Sequence, residues 1–178
     1  MVALIIKHRT QFKGVSMDFC NDDHAKNQYH YEYVMDHVKD QKEKVKQLSF
    51  RAMDLLEGWC TQKKASVLID LVLMVKPEIV VEIGVFGGKS LVPMALAVKE
   101  NGRGIVYGID PWEKERSMEG WDDANKDWWG GVDHDAIMTG LQDKIVQFSL
   151  QDHIQLLRST SEQALPIPNI DILHIDGN

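Results

Sequence analysis

Residues 79–83 read Ile-Val-Val-Glu-Ile, a short β-branched run that is almost wholly apolar. A run of this kind, without polar alternation, predicts a parallel strand buried on both faces. Three further strands are predicted, at residues 104–109, 153–157 and 170–175. Between them the apolar spacing changes to threes and fours, the spacing of a helix. Thr61 is placed to cap a helix that buries Val67, Leu68, Leu71, Val72 and Val75, and Lys76-Pro77 ends it. Residues 84–88 form a glycine-rich turn, and a helix follows over 90–99 until Asn101-Gly102 stops it. Ile137, Leu141, Ile145 and Phe148 mark one side of another helix. A turn over 158–161 and a short helix start precede Pro166 and Pro168. The alternation of strand and helix predicts an α/β fold, a Rossmann-like parallel sheet with helices on both faces.

Upstream of this pattern the chain is polar and helical. Tyr31, Val34, Val38, Val45, Leu48, Ala52 and Leu55 keep three- and four-residue steps, with Gln41 filling the gap. This seam fits one or two helices packed on the main domain, or a helix pair that makes a homodimer. Val2 to Ile6 reads as a short strand or an extended arm. The division is therefore residues 1–57, an arm and helical region, and residues 58–178, an α/β domain. Residues 111–131 differ from both. Trp112, Trp121, Trp128 and Trp129 stand there among acidic residues, lysines and glycines, with Asp122, Asp123, Asp127 and the nearby His134 adding polar groups. Such a segment is a lid or acceptor pocket with aromatic faces, or a cover over the sheet edge. Trp59 is expected near the same pocket.

Bulk properties narrow the field. A chain of 178 residues, 44% hydrophobic and 26% charged, suits one soluble globular domain. The net charge of -7 argues against a nucleic-acid backbone as main partner. No stretch approaches the roughly 20 apolar residues of a membrane span, and the start lacks the regions of a signal peptide. Cys20 and Cys60, the two cysteines, match no metal spacing and read as reduced thiols of a cytoplasmic protein.

In parallel sheets ligands bind outside the carboxyl ends of the strands, where residues 84–90, Asp110, Ser161 and Asp176 all fall. The sequence Gly-Gly-Lys-Ser at 87–90 raises the possibility of a triphosphate loop. That loop needs four residues between its first glycine and Gly-Lys-Ser/Thr, and here only three separate Gly84 from Gly88. Glu82 would also repel a triphosphate. Gly84 and Gly88 allow close backbone approach, while Ser90 and the free N–H groups of the next helix suit an anion. The ligand thus carries both a cation and an anion, as an amino acid does. Asp110, at the end of the second strand, is placed to accept both ribose hydroxyls. A nucleoside with an amino-acid tail, S-adenosylmethionine, satisfies all of these groups.

The stretches VVEIGVFGGKS, YGIDPW and IDILHIDGN resemble the first, second and fourth motifs of class I S-adenosylmethionine-dependent methyltransferases, in the branch of small-molecule and sugar O-methyltransferases related to the catechol type. The likeness runs from about Gly58 onward. It implies that Glu82 and Gly84 lie along the methionine moiety, Ser90 binds its carboxylate, and Phe86 lines the cofactor beside Gly88. It also implies that Asp110 takes the ribose and that Ser161 and Glu162 contact adenine, although a helix cap suits Ser161 equally. Asp176 falls where metal-dependent members hold Mg²⁺ and position the acceptor hydroxyl. His174 shares its strand face with Asp176 and is either a core histidine or a ligand or base. Asp171 lies at the far end of that strand and is expected to play no part.

The family fold has seven strands, and four are legible here. The last of them is expected to leave an unpaired edge, so the chain looks like the cofactor-binding half of a methyltransferase, with weak cofactor binding and little turnover by itself. The implied function is methylation of a small-molecule hydroxyl. The alternatives are a non-catalytic binding or scaffold domain of the same fold, and a nucleotide hydrolase.

Overall fold

The computed structural model describes residues 3–6, 24–120 and 122–177, with side chains left out for Ala3, Leu4, Ile6 and residues 24–38. Cys20, Trp121 and Asn178, and the side chains of Val2, Tyr31, Val34 and Val38, lie outside the described residues. The elements are β1 (Ala3–Ile6), α1 (His24–Met53), α2 (Gln62–Val75), β2 (Ile79–Ile83), α3 (Leu91–Glu100), β3 (Ile105–Asp110), α4 (Lys114–Ser117), α5 (Asp123–Gly131), α6 (His134–Gln147), β4 (Ile154–Arg158) and β5 (Ile172–Ile175). The sheet order is β1-β5-β2-β3-β4. Strands β2 to β5 are parallel, and β1 runs antiparallel to β5. This is the Rossmann-like sheet that the alternation predicts.

Two points of topology differ from the sequence reading. First, β5 is not an edge, because β1 pairs along it from Ala3 opposite Ile175 to Ile6 opposite Ile172. Four apolar residues far from the sheet in sequence were enough to satisfy its backbone groups, and nothing local could reveal the pairing. Second, the connection from β4 to β5 holds turns and no helix. Its two prolines remove donors that a helix would need.

Register explains where the core sits. Val80 pairs with Val106 and Ile172, and Val106 with Ile154, so these four form one row on one face. They join a hydrophobic cluster with α3, in which every residue from Leu91 to Val98 is buried. A helix that is apolar all round has to be covered on all sides, and both α1 and α2 pack against α3. The next row on the same face holds Glu82, Gly108, Leu156 and His174. On the opposite face Ile83, Tyr107, Leu173 and Ile175 are only half-buried.

The helical seams are rotated from the expected ones. On α1 the inward side is Val45, Ser49, Ala52 and Met53, whereas Leu48 is exposed, as is Leu55 just past the helix end. On α2 the inward side is Ala65, Leu68, Ile69, Leu71 and Val72, and Val67 is 62% exposed. Both helices carry more apolar positions than one face can bury, so periodicity alone did not fix the rotation. Thr61 does cap α2, its side chain accepting from the Lys64 N–H. Lys42 and Lys46 of α1 both pair with Asp70 of α2. The more exposed Lys42 pair contributes about 0–1 kcal/mol, and the Lys46 side chain is mostly covered.

The turn after β2 meets the end of β5. Gly84 has φ +85°, and a Cβ there would lie 2.4 Å from the backbone N of Gly177. Gly84→Ala is expected to combine left-handed strain with a backbone clash, costing about 2–4 kcal/mol. Gly102→Ala, also at positive φ but with open space around it, should cost about 1–2 kcal/mol. Thermal melts of the two variants compare them directly, and equal losses would contradict the close approach.

Candidate functional site

The carboxylate of Asp110, at the end of β3, organises the carboxyl edge of the sheet. Its Oδ2 accepts the backbone N–H groups of Val85 and Phe86, each at 2.9 Å. Its Oδ1 accepts the N–H of Trp112 at 2.8 Å. The buried Trp112 returns the tie, its indole N–H donating to the Phe86 carbonyl at 2.8 Å. Phe86 and Trp112 are both left-handed, with φ 51° and 44°, a strained state for such residues. The hydrogen bonds hold it. Arg158 of β4 then donates to the carbonyls of Pro111 and Trp112 and pairs with Asp135 of α6. Three of the roughly four acceptor positions of a carboxylate are therefore filled at Asp110. One remains, on Oδ1, for a further donor, and Asp110 lines the cavity.

Behind the turn lies a buried polar trio. Glu82 is fully buried, and its Oε1 accepts the Ser90 hydroxyl and lies 2.9 Å from Nδ1 of the equally buried His174. Glu82 Oε2 and His174 Nε2 have no hydrogen-bond partner. Burial pushes the Glu82 carboxyl above its ordinary range, outweighing the opposing bonds from His174 and Ser90. Direct pairing of Glu82 with a ligand ammonium therefore does not fit this geometry. The Ser90 hydroxyl is likewise turned toward Glu82.

A cavity of about 790 Å³ opens at the carboxyl ends of the strands, within the usual size of ligand sites. Of the residues singled out in the sequence, Gly84, Phe86, Ser90, Asp110, Ser161, Glu162 and Asp176 line it. Glu82, Gly88 and His174 are absent from its walls. Gly88 packs instead against Leu141, which a Cβ would approach to 2.4 Å. Ser161 is not the cap of its turn, since Thr160 fills that place by accepting the Gln163 N–H. Asp171 accepts the N–H groups of Glu78 and Ile79 at the opposite end of the sheet, as its position implied.

Aromatic rings form one wall. Trp59 stacks on Phe86 at 5.2 Å, and Trp128 and Trp129 of α5 meet Trp59 edge-on at 5.4 and 5.8 Å. His134 stacks on Trp129. Residues 111–131 therefore contribute to the cavity itself. Sequence reasoning missed Lys64, which reaches the cavity from the first turn of α2 and places Nζ 2.6 Å from Asp176 Oδ2. No spacing rule marks such a residue, because its partner is 112 positions away. Beside it, burial pushes the Cys60 thiol up to about 11, so it stays protonated at neutral pH.

The implied Mg²⁺ can be tested against these residues. Among the described residues, Glu82, His174 and Asp176 bring one donor atom each within 4.8 Å of one another. Mg²⁺ demands an octahedron of hard oxygen ligands and keeps several waters. Here one donor is an imidazole, Glu82 is sealed from solvent, and Asp176 is already paired with an ammonium. This set does not fit Mg²⁺, and Asp176 is not assigned as its ligand.

The raised carboxyl of Glu82 has a consequence for stability. A folded-state value above the ordinary 4.5 means that the folded chain binds this proton more tightly than the unfolded one. Its contribution is then fully favourable below about pH 4.5 and declines as pH rises through the folded value. Glu82→Gln keeps an acceptor for Ser90 and removes that proton. The melting temperature of the variant should fall less than that of the wild type between about pH 5 and 8; parallel profiles would contradict the assignment.

A family model described as a methyltransferase domain matches residues 81–178, more than half of the chain. No curated protein matches. Among solved structures, the chain is similar to the SAH-bound Podospora anserina methyltransferase PaMTH1, at 12% identity and TM-score 0.45, covering 74% of this chain and 51% of that one. It is also similar to an O-methyltransferase from Bacillus cereus in complex with SAH, at 19% identity and TM-score 0.38, covering 66% of this chain and 42% of that one. The chain thus spans about half the length of the solved structures it matches. With the end of β2, its glycine turn, Asp110 and Asp176 all inside the matched segment, the chain belongs to the methyltransferase-domain family.

Proposed function

We propose that the cavity binds S-adenosylmethionine and that the protein transfers its methyl group to a hydroxyl of a small molecule. The observation that carries this reading is the turn of residues 84–88, fixed by Asp110 from a neighbouring strand. A nucleoside can lie across that junction with one ribose hydroxyl on the remaining Asp110 acceptor. Ser161 and Glu162 line the same cavity and would meet the base, and Gly84, also in its lining, would lie along the amino-acid tail. Glu82, sealed behind the turn, would act through Ser90 rather than by contact.

The chemistry required of the protein is modest. The sulfonium is already an activated donor, so the site has to align an acceptor oxygen with the methyl carbon and exclude competing water. The tryptophan wall suits the second task and offers flat apolar faces to an acceptor. A net charge of -7 favours a small acceptor over a nucleic acid.

Calorimetry with S-adenosylmethionine and with ATP separates this reading from the hydrolase alternative. The sulfonium is expected to bind and ATP is not. Asp110→Ala removes the ribose acceptor and releases the turn. Charge-assisted hydrogen bonds of about 1.5–3 kcal/mol make the expected loss of affinity roughly 10- to 100-fold. Tight ATP binding without a response to the sulfonium would refute the proposal.

A further inference from the structure

We propose that Lys64 is the working cation of this site, taking the place at Asp176 that a divalent ion would otherwise hold and binding the acceptor as an oxyanion. The inference rests on the methyl-transfer reading and deepens it. Three observations support it. Lys64 and Asp176 both line the cavity and are both about three-quarters buried, so their 2.6 Å pair is not a solvated surface contact. Lys64 is anchored in the first turn of α2, where its own N–H is held by the Thr61 cap. The donor set around Asp176 also does not fit Mg²⁺.

An ammonium has three donors and no acceptor. Asp176 uses one, which leaves donors to face the cavity. An acceptor hydroxyl binding there gives its proton to water and remains as an oxyanion beside the Lys64 ammonium. An oxygen lone pair then forms the bond to the methyl carbon. The carbon–sulfur bond breaks with its electron pair retained by sulfur, leaving a neutral ether and a neutral thioether. A single positive charge lowers a hydroxyl pKa less than a divalent ion does. The site therefore selects hydroxyls that are acidic to begin with, phenols or enols, over aliphatic alcohols of sugars. The stack of Trp59 and Phe86, with Trp128 and Trp129 edge-on to Trp59, suits a flat ring of that kind. Glu57, Lys89, Arg116, Glu119 and His134 also face the cavity, and the test has to isolate Lys64 from them.

The probe is 4-nitrophenol, whose ionised form is coloured, titrated with the SAH-loaded protein. The bound phenol is expected to ionise about one pH unit lower than the free one, a tenfold shift in its acid dissociation. Lys64→Met should abolish that shift, Lys64→Arg should retain part of it, and SAH affinity should change little in either. Failure of 4-nitrophenol to bind, or an unchanged shift in Lys64→Met, would overturn the proposal. A second measurement needs no variant: wild-type protein titrated with Mn²⁺ and Zn²⁺, with and without SAH, should show no stoichiometric site, and a one-to-one site in either titration would overturn the proposal. SAH calorimetry on the same samples reports separately on the methyl-transfer reading.

Discussion

The geometry of the cavity depends on one carboxylate. Asp110 accepts three backbone N–H groups, two from the turn after β2 and one from the turn after β3. Two segments about 25 residues apart are thereby locked into one wall, and two non-glycine residues are held at positive φ. Holding such residues costs on the order of 1–3 kcal/mol each, and hydrogen bonds to a charged group are of a size to offset it. The Trp112 indole and Arg158 tie the same loop from the other side. A ligand arriving at this wall meets a surface that is already shaped, which lowers the ordering cost of binding.

Two polar pairs lie beneath it. Glu82 and His174 occupy the sheet row next to the apolar core and are sealed from the cavity. Their unpartnered atoms, Oε2 and Nε2, are an unusual pair to bury. Nearer the opening, Asp176 and Lys64 form an ion pair at the cavity wall. A cation fixed on a helix and a carboxylate fixed beyond a strand end give the cavity wall a local dipole.

Much of the framework was legible in the sequence because it is written locally. The β2 run and the Thr61 cap each depend on neighbours within a few residues, and the glycines and Asp110 stand out by residue type at the strand ends. The pairing of β1 with β5, the rotation of α1 and α2, and the Lys64–Asp176 contact depend on residues far apart, and composition carries no trace of them. Glu82 shows a subtler gap. Its position at the strand end was plain, but whether it faced the ligand or the core depended on β5 placing His174 beside it. In the same way the place of Asp110 at the carboxyl edge was plain, while its structural work on the turn was not.

The central claim is that the wall built on Asp110 receives an adenosyl amino acid. A crystal structure of the protein grown with SAH tests it most directly. The account predicts the ribose against Asp110 Oδ1, the amino-acid end at Gly84, and the turn of residues 84–88 unmoved. Density for SAH outside the cavity, or none at a saturating concentration, would contradict it.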